Sequence, residues 1–221
     1  MTVLLGDSFT FPNPDASDPR GLVAVGGDLH PDRILSAYRR GIYPWSIDPI
    51  TWWSPDPRAI VEFQEFHVSR SLRRRIRQSH YRVTFDQAFH DVIQACADRK
   101  EDSTWISPPF IDAYLELYRL GVAHSVEAWL GSDLVGGVYG IAIGGLFAGE
   151  SMFHRKSDAS KVALHSLTRA LEGAGFQLFD IQMITPITLQ LGAREIPRRE
   201  YLDRLRRVLN LPCQFPSSAA C

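Results

Sequence analysis

The chain has 221 residues, of which 45% are hydrophobic and 22% are charged, and its formal net charge is −1. This length suits one large domain, or a large domain with a small one. The near-neutral charge excludes a globally basic nucleic-acid-binding protein, so any contact with nucleic acid must come from a local patch. All apolar runs fall short of the length of a transmembrane helix, and we expect no membrane partner.

The spacing of cysteine and histidine argues against a metal site. Cys96, Cys213 and Cys221 lie far apart, and the histidines are scattered without the spacing of metal ligands. Cys96 falls on a predicted helix, where we expect a small buried side chain. The odd number of cysteines and the lack of a signal-peptide pattern favour a reduced, cytoplasmic protein. We expect neither a metal nor a cofactor.

Residues 1–57 differ in composition from the rest of the chain, since they hold many of the prolines and glycines. The sequence LVAVGGDL predicts a short strand that runs into a turn. Pro31 and Gly41 are placed to begin and end a helix. The aromatic, proline-rich stretch IYPWSIDPITWWSPDPR predicts an ordered, packed loop. We place a domain boundary near Pro55–Arg58, so that a small N-terminal domain precedes a larger one, 58–221.

Six arginines between Ser69 and Arg82 are too dense to be all paired within the chain. At helical spacing, Arg70, Arg74 and Arg77 share one face. Guanidinium groups suit bidentate contact with phosphate. The alternative is a solvated helix face with acidic neighbours.

The middle of the chain alternates between helical and strand patterns. DQAFHDVIQACADR predicts a helix, and Ser107 and Pro108 begin another that ends at Gly121. The alternation in HSVEAWLGSDLVGGVYGI predicts a hairpin around GSD, and the Gly-Gly pair before LFAGESMF predicts the next one. Ser157 and Asp158 are candidate caps for a helix that stops at Gly173 or Gly175. LFDIQMI predicts a strand, and REYLDRLRRVL predicts a closing amphipathic helix. This order predicts an α+β fold with a mostly antiparallel sheet flanked by helices.

Three polar residues of this region are candidates for chemistry. Glu150 is a lone carboxylate in an apolar strand, which is costly unless it is paired or used. It could hold a cation, or form a structural ion pair with Arg155 or Lys161. Asp180 and Gln182 are two apart on a strand and therefore share a face. We expect Asp180 to accept a hydrogen bond from the Gln182 amide group and so to fix its orientation.

Other candidates are apolar or aromatic. Trp45 and Trp105 lie in turn-like contexts, where each could stack on a base or serve ordinary packing. Several side chains could line a pocket for an apolar group that is unbranched at Cβ, or could simply be core: Phe147, Met152, Leu164, Leu167, Leu171 and Phe179. Ser151, beside Glu150, is counted with this group although no base neighbours it in the sequence.

Ten motifs occur in order between Phe11 and Arg207 and together resemble the leucyl/phenylalanyl-tRNA–protein transferases. They are GLVAVGGDL, AYRRGIYPW, WWSPDPRA, SRSLRR, TWI, AHSVEAW, GESMF, SDASKVAL, FDIQ and LGAREIPRREYL. The resemblance implies a bacterial cytosolic aminoacyltransferase with an acetyltransferase-like (GNAT-like) domain behind a small N-terminal domain. It implies transfer of Leu, also of Phe and in the widest case Met, from aminoacyl-tRNA to an N-terminal Arg or Lys of a protein, which marks that protein for the N-degron pathway.

The resemblance also implies roles for the candidates. The tRNA backbone contacts Arg70, Arg74 and Arg77, and the terminal adenosine docks near the domain junction, where Trp45 and Trp105 lie. We expect Gln182 to hydrogen-bond the attacking amine, and Tyr38 to hydrogen-bond the ribose or the amine. Two alternatives remain. One is a CoA-dependent N-acetyltransferase, which would need a glycine-rich loop where this sequence has HRKSDASK. The other is an aminoacyl-tRNA-dependent transferase with another acceptor. A non-catalytic tRNA-binding module would explain the arginines but not the three polar candidates.

Overall fold

The computed structural model describes residues 3–17, 20–98 and 104–216, and Cys221 lies outside them. The described residues form two sheets, one of four strands and one of seven. Within these residues no helix combines the length and the apolar character needed to cross a membrane.

The N-terminal sheet has the strand order β1-β2-β4-β3. Its strands are β1 (Val3–Leu5), β2 (Leu22–Gly26), β3 (Tyr43–Ile47) and β4 (Ile50–Trp53). Helix α1 (Pro31–Tyr38) connects β2 to β3. The predicted strand and helix are confirmed: α1 begins at Pro31, and Gly41 follows it with a φ of 74°, which favours glycine.

The aromatic stretch after α1 is a hairpin, so the prediction of a packed loop was wrong. Strands β3 and β4 pair antiparallel around a turn that contains Pro49. Pro44 is tolerated because β3 is the edge strand of its sheet, which is paired on one side only. The aromatic and β-branched residues then favour the strand conformation. Trp52 is fully buried, with the Phe11 ring packed edge-on against it at 4.8 Å.

The large sheet has the order β11-β5-β10-β9-β8-β7-β6. All neighbours are antiparallel except β9 and β10, which run parallel, so the predicted mostly antiparallel sheet is confirmed. The strands are β5 (Arg58–Val61), β6 (Arg82–Phe85), β7 (Ala123–Leu130), β8 (Asp133–Ile143), β9 (Leu146–His154), β10 (Leu178–Gln182) and β11 (Ala193–Ile196). Both predicted hairpins, β7–β8 and β8–β9, are confirmed. The division into domains 1–57 and 58–221 stays a prediction.

Helices cover both faces of this sheet, as the α+β prediction requires. They are α2 (Arg70–Arg77), α3 (Phe89–Ala97), α4 (Pro108–Arg119), α5 (Ala159–Gly173), α6 (Pro186–Gln190) and α7 (Arg198–Val208). On one face, α3 and α4 pack with α1 around Tyr139 and Ala148. On the opposite face, α5 packs over Val138 and Phe147. Alternate residues of β8 and β9 therefore belong to two different cores.

The starts of α1, α4 and α5 match the predicted positions, whereas α3 begins at Phe89, three residues later than its predicted segment, and two caps are made differently. Asp158 is the N-cap of α5 with a φ of 63°, yet it makes no side-chain capping bond. Its carboxylate instead lies 3.2 Å from both the Arg75 and the Lys161 cation. Ser107 is the N-cap of α4, and its hydroxyl is buried without making the capping bond. Cys96 is buried on α3, as predicted.

Candidate active site where strands β9 and β10 part

The parallel pairing of β9 and β10 stops at Ala148 and Asp180. Just beyond, each strand carries one residue more than its antiparallel neighbour: Glu150 on β9 and Ile181 on β10. Such bulges bend a strand and re-aim its side chains, and they are common beside active sites. In open sheets, the carboxyl ends of parallel strands also form the crevice in which ligands bind. The two strand ends therefore mark the candidate site.

Glu150 is held by three neutral hydrogen-bond donors. Its Oε1 accepts from the Tyr38 hydroxyl at 2.6 Å and from Gln182 Nε2 at 3.1 Å, and its Oε2 accepts from the Tyr114 hydroxyl at 3.0 Å. Burial raises the pKa of Glu150 to about 7, although the two phenol hydrogen bonds oppose that shift. The carboxyl group can therefore change its charge near neutral pH.

The alternative for Glu150, a structural ion pair with Arg155 or Lys161, does not occur in the structure. Lys161 pairs with Asp158 at 3.2 Å, and the Arg155 guanidinium lies 5.5 Å from the centre of the Phe153 ring. Arg155 follows the end of β9 and Lys161 lies on α5, whereas the Glu150 side chain points toward α1 and α4. Its partners are consequently phenols and an amide, which leave it without a resident cation among the described residues.

Asp180 is fully buried and paired with Arg58 through two hydrogen bonds of 2.8 and 2.6 Å. The Tyr201 hydroxyl adds a bond of 2.9 Å. The Arg58 guanidinium lies between the rings of Tyr43 and Tyr201, 4.9 and 4.5 Å from their centres, and donates to the Gly41 carbonyl oxygen at 3.1 Å. Burial alone would lower the pKa of Arg58, but the charge of Asp180 raises it above its usual value. The ion pair itself joins β10 to its neighbour β5, and the contacts of Arg58 with Gly41 and Tyr43 connect it to the N-terminal part of the chain.

The predicted contact between Asp180 and the Gln182 side chain was wrong. Asp180 Oδ1 accepts from the backbone N–H of Gln182 at 2.9 Å, while the Gln182 side-chain amide reaches Glu150. Gln182 has a φ of 56°, and Ile181 is the extra residue between the two. A left-handed residue after a bulge breaks the alternation on which the prediction rested. Asp180 therefore shapes the strand end, and Glu150 orients the amide.

Tyr114 and Arg58 are site residues that the sequence analysis missed. Tyr114 lies on the inner face of α4 and is fully buried. Its helical spacing predicts only a core residue. The available signal for a further role was that a buried phenol hydroxyl needs a hydrogen-bond partner. Arg58 begins the buried strand RAIV. A charged residue in such a strand requires a paired partner, which was the available signal.

Trp45 and Trp105 come together, although they are far apart in the sequence. Their rings lie 6.4 Å apart with an interplanar angle of 27°, and Trp105 also packs edge-on against Phe110. Both are half-buried. The contact joins β3 to the start of α4, on the same face of the large sheet as Tyr114. Base stacking on these rings stays a prediction.

The apolar residues predicted for the pocket lie on the other face, against α5. Five are buried in the core there, with exposed fractions of 0 to 3%: Phe147, Leu164, Leu167, Leu171 and Phe179. Met152 and Ser151 are half-buried on β9. On β9, Met152 pairs with Val138 of the α5 core, whereas Ser151 pairs with Tyr139 and so lies on the face of Tyr38 and Tyr114. Their role in a substrate pocket stays a prediction.

The arginine-rich helix α2 presents Arg70, Arg74 and Arg77 to solvent. None of the three has an ion-pair partner among the residues that the structure describes. Arg75, in contrast, pairs with Asp158 at 3.2 Å. The alternative of a solvated helix face with acidic neighbours therefore fits Arg75, but it does not fit the face that carries Arg70, Arg74 and Arg77. In residues 3–17, 20–98 and 104–216, no group of three acidic, cysteine or histidine side chains could hold a metal ion.

Comparison with known proteins identifies the family. The family model described as leucyl/phenylalanyl-tRNA protein transferase matches residues 60–206, and the model of its N-terminal domain matches residues 27–56. The chain belongs to this family. A transferase with this name from Anaeromyxobacter sp. (strain Fw109-5) is 53% identical over 208 residues, which cover 92% of this chain and 88% of the relative. Another from Stutzerimonas stutzeri (strain A1501) is 50% identical over 218 residues, 96% of each chain.

Similar solved structures include two more distant proteins. L-PGS from Bacillus licheniformis is 14% identical, with a TM-score of 0.43 and coverage of 75% of this chain and 54% of that one. A GCN5-related N-acetyltransferase from Kribbella flavida is also 14% identical, with a TM-score of 0.40 and coverage of 73% and 59%.

Proposed function

We propose that this transferase moves Leu or Phe from aminoacyl-tRNA to the α-amine of acceptor proteins that begin with Arg or Lys. The modified proteins enter the N-degron pathway, and the enzyme acts in the cytoplasm. Family membership over most of the chain supports the donor and the reaction class. The observation that carries the proposed site is the cluster of Glu150, Tyr38, Tyr114 and Gln182 where β9 and β10 part.

The chemistry asks little of the protein, because the ester of aminoacyl-tRNA is already activated. An unperturbed α-amine has a pKa of about 7.7–8.0, so a useful fraction is neutral at cytoplasmic pH. The amine attacks the ester carbonyl, a C–N bond replaces the C–O bond, and the departing 3′-oxygen takes the proton by way of the 2′-hydroxyl. Holding the amine in line with the carbonyl supplies most of the catalysis, and neither ATP nor a metal is required.

Gln182 positions the amine in this proposal. Its Nε2 donates to Glu150, which turns its Oε1 away from that carboxylate and leaves the oxygen as an acceptor for an N–H of the attacking amine. A neutral amide oxygen is a poor base, so this contact orients the amine and does not remove its proton. Asp180 acts indirectly, by holding the turn at Gln182 and the buried Arg58.

Glu150 holds a cation of the substrates: the α-ammonium group of the donor, or the side chain of the acceptor's first residue. Among the described residues Glu150 forms no ion pair and is held by three neutral donors, so a substrate cation would supply a direct charge partner. Tyr38 and Tyr114 fix the direction of the carboxylate. Tyr38 lies on α1 and so brings the N-terminal part of the chain to the site.

The remaining predicted residues bind the two ends of the donor. The donor side chain passes through the gap between β9 and β10 toward Phe147, Phe179 and Met152, with Ser151, Leu164, Leu167 and Leu171 around it. The terminal adenosine lies near Trp45 and Trp105. The tRNA backbone contacts Arg70, Arg74 and Arg77, which are exposed and lack ion-pair partners among the described residues.

One assay tests the proposal directly. Labelled Leu-tRNA is mixed with the enzyme and peptides that begin with Arg, Lys or Ala, without ATP or added metal. We expect labelled product with the Arg and Lys peptides only. Acetylation of the same peptides by acetyl-CoA, with no product from Leu-tRNA, would support the CoA-dependent rival instead.

A further inference from the structure

Three rings form a stack on the α5 face of the large sheet. The ring of Phe215, in the segment after α7, lies 4.1 Å from the His124 ring and 5.7 Å from the Phe147 ring, with interplanar angles of 14° and 25°. Phe85 closes the side of the stack, edge-on to Phe215 at 6.1 Å. Phe215 therefore fills the space between an imidazole on β7 and Phe147 on β9.

The outer end of the stack is fixed. His124 Nδ1 lies 2.8 Å from Asp86 Oδ2, and Asp86 Oδ1 accepts from the backbone N–H of Ser125 at 2.8 Å. The segment that carries Phe215 contacts the turn after α5, where the Cys213 thiol donates to the Gly175 carbonyl oxygen at 3.2 Å. The imidazole is thus a rigid support, and Phe215 is a spacer resting on it.

The inner end of the stack is confined on its other sides. A Cβ atom at Gly140 would lie 2.6 Å from Phe147 Cζ, so the absent side chain makes room for this ring. Phe179 meets the Phe147 ring edge-on at 5.5 Å. The sheet lies below the Phe147 ring and Phe179 lies on one side of it. Phe215 fills the remaining space, into which Phe147 could otherwise move away from β10.

We propose that Phe215 is a positioning residue that sets the depth of the donor side-chain pocket by holding Phe147 against Phe179. This inference rests on the proposed function, because Phe147 must line the pocket for the donor. Without Phe215, the Phe147 ring can turn toward His124, and the pocket then admits a larger side chain. With a larger residue at position 215, Phe147 is pushed toward β10 and the pocket becomes shallower.

The test is the donor preference of variants in both directions. One tRNA is charged chemically with Leu, Phe or Trp, and kcat/KM is measured for each with an Arg-initiated peptide. We expect Phe215→Ala to raise the ratio of Trp to Leu about tenfold, and Phe215→Trp to lower the ratio of Phe to Leu by a similar factor. His124→Ala should shift the ratios in the same direction as Phe215→Ala, since it removes the support.

Phe66→Ala is the matched control, because the Phe66 ring lies on the same face beside His165 at 5.9 Å. It should leave both ratios unchanged. If Phe215→Ala does not fold, Phe215→Leu keeps the apolar volume and should give a smaller shift of the same sign. Equal losses for all three donors in a folded variant would overturn the inference, because a purely structural role changes every donor alike. Failure of the wild-type enzyme with every donor would refute the proposed function instead.

Discussion

Gln182 donates a 3.1 Å hydrogen bond to Glu150 across the gap in which β10 and β9 are no longer paired. A side-chain bond thus replaces the backbone ladder at the point where the two bulged strands part. It gives each residue a defined direction: the amide oxygen of Gln182 is turned away from Glu150, and the carboxylate is turned toward Tyr38 and Tyr114. The consequences of this contact can be tested.

Replacing Gln182 with Ala should lower kcat without weakening tRNA binding. The lost contact forms mainly as the amine attacks. A hydrogen bond to a group that is charged, or on which charge develops, is worth about 1.5–3 kcal/mol, or roughly 10- to 100-fold in rate. Single-turnover transfer gives the rate, and tRNA affinity is measured separately. Gln182→Glu should not restore activity, because it places a second carboxylate beside Glu150. A Gln182→Glu variant faster than wild type, with a new acidic limb in its pH profile, would show base catalysis instead.

Glu150 should make the free energy of unfolding decrease as the pH rises. Its pKa is raised from 4.5 to about 7 by burial, so the folded protein holds this proton more tightly than the unfolded chain. The free energy of unfolding therefore decreases between pH 4.5 and pH 7, where only the folded state keeps the proton, and the effect is complete above pH 7. Glu150→Gln should remove this decrease, as measured by thermal melting from pH 4.5 to 8.5.

The control for this pH series is Asp133→Asn, since Asp133 is exposed at the start of β8. The control should melt in parallel with wild type at every pH. If Glu150→Gln also stays parallel to wild type, Glu150 has an ordinary pKa and its burial has no energetic effect.

The Arg58–Asp180 pair should behave as one buried unit. Removing either partner leaves a buried charge, so Arg58→Met and Asp180→Leu should each lower the free energy of unfolding by about 3–5 kcal/mol. The double variant should lose less than the sum of the two, because no unpaired charge remains. Urea unfolding measures all three. The exposed pair Arg169–Glu172 provides the comparison, with an expected change of about 0–1 kcal/mol. Additive losses at the buried site would mean that the two charges do not interact.

The exposed face of α2 should carry part of the tRNA affinity. Changing Arg70, Arg74 and Arg77 to Ala should raise KM for charged tRNA, while kcat at saturating tRNA changes little. Each lost phosphate contact should flatten the slope of log K against log salt by about 0.7–0.9, so three contacts give roughly 2–3. A triple Arg→Ala variant at Arg119, Arg206 and Arg207 has the same charge change on other helices. If both triple variants have the same effect, the loss of affinity comes from the change in net charge and not from specific phosphate contacts on α2.

Local periodicity was sufficient to predict the elements that build the fold. The apolar residues of α3 recur at helical spacing, and Phe89, Val92, Ile93 and Cys96 are all buried as that spacing requires. The hairpin turns at Gly131 and Gly144 have positive φ, which favours the glycines found there. Where local signals competed, as in the β3–β4 hairpin, the position of Pro44 on an edge strand decided the result, and only the sheet order reveals that position.

The sequence by itself determined that Glu150, Asp180 and Gln182 need partners, because polar groups in apolar strands cannot remain unsatisfied. Only the tertiary structure decided who those partners are. Tyr38 lies 112 positions from Glu150, Tyr114 lies 36 positions away, and Arg58 lies 122 positions from Asp180. Contacts over such separations depend on how helices and strands pack, and two bulges further re-aim the side chains at the strand ends. Alternation along a single strand contains no information about either.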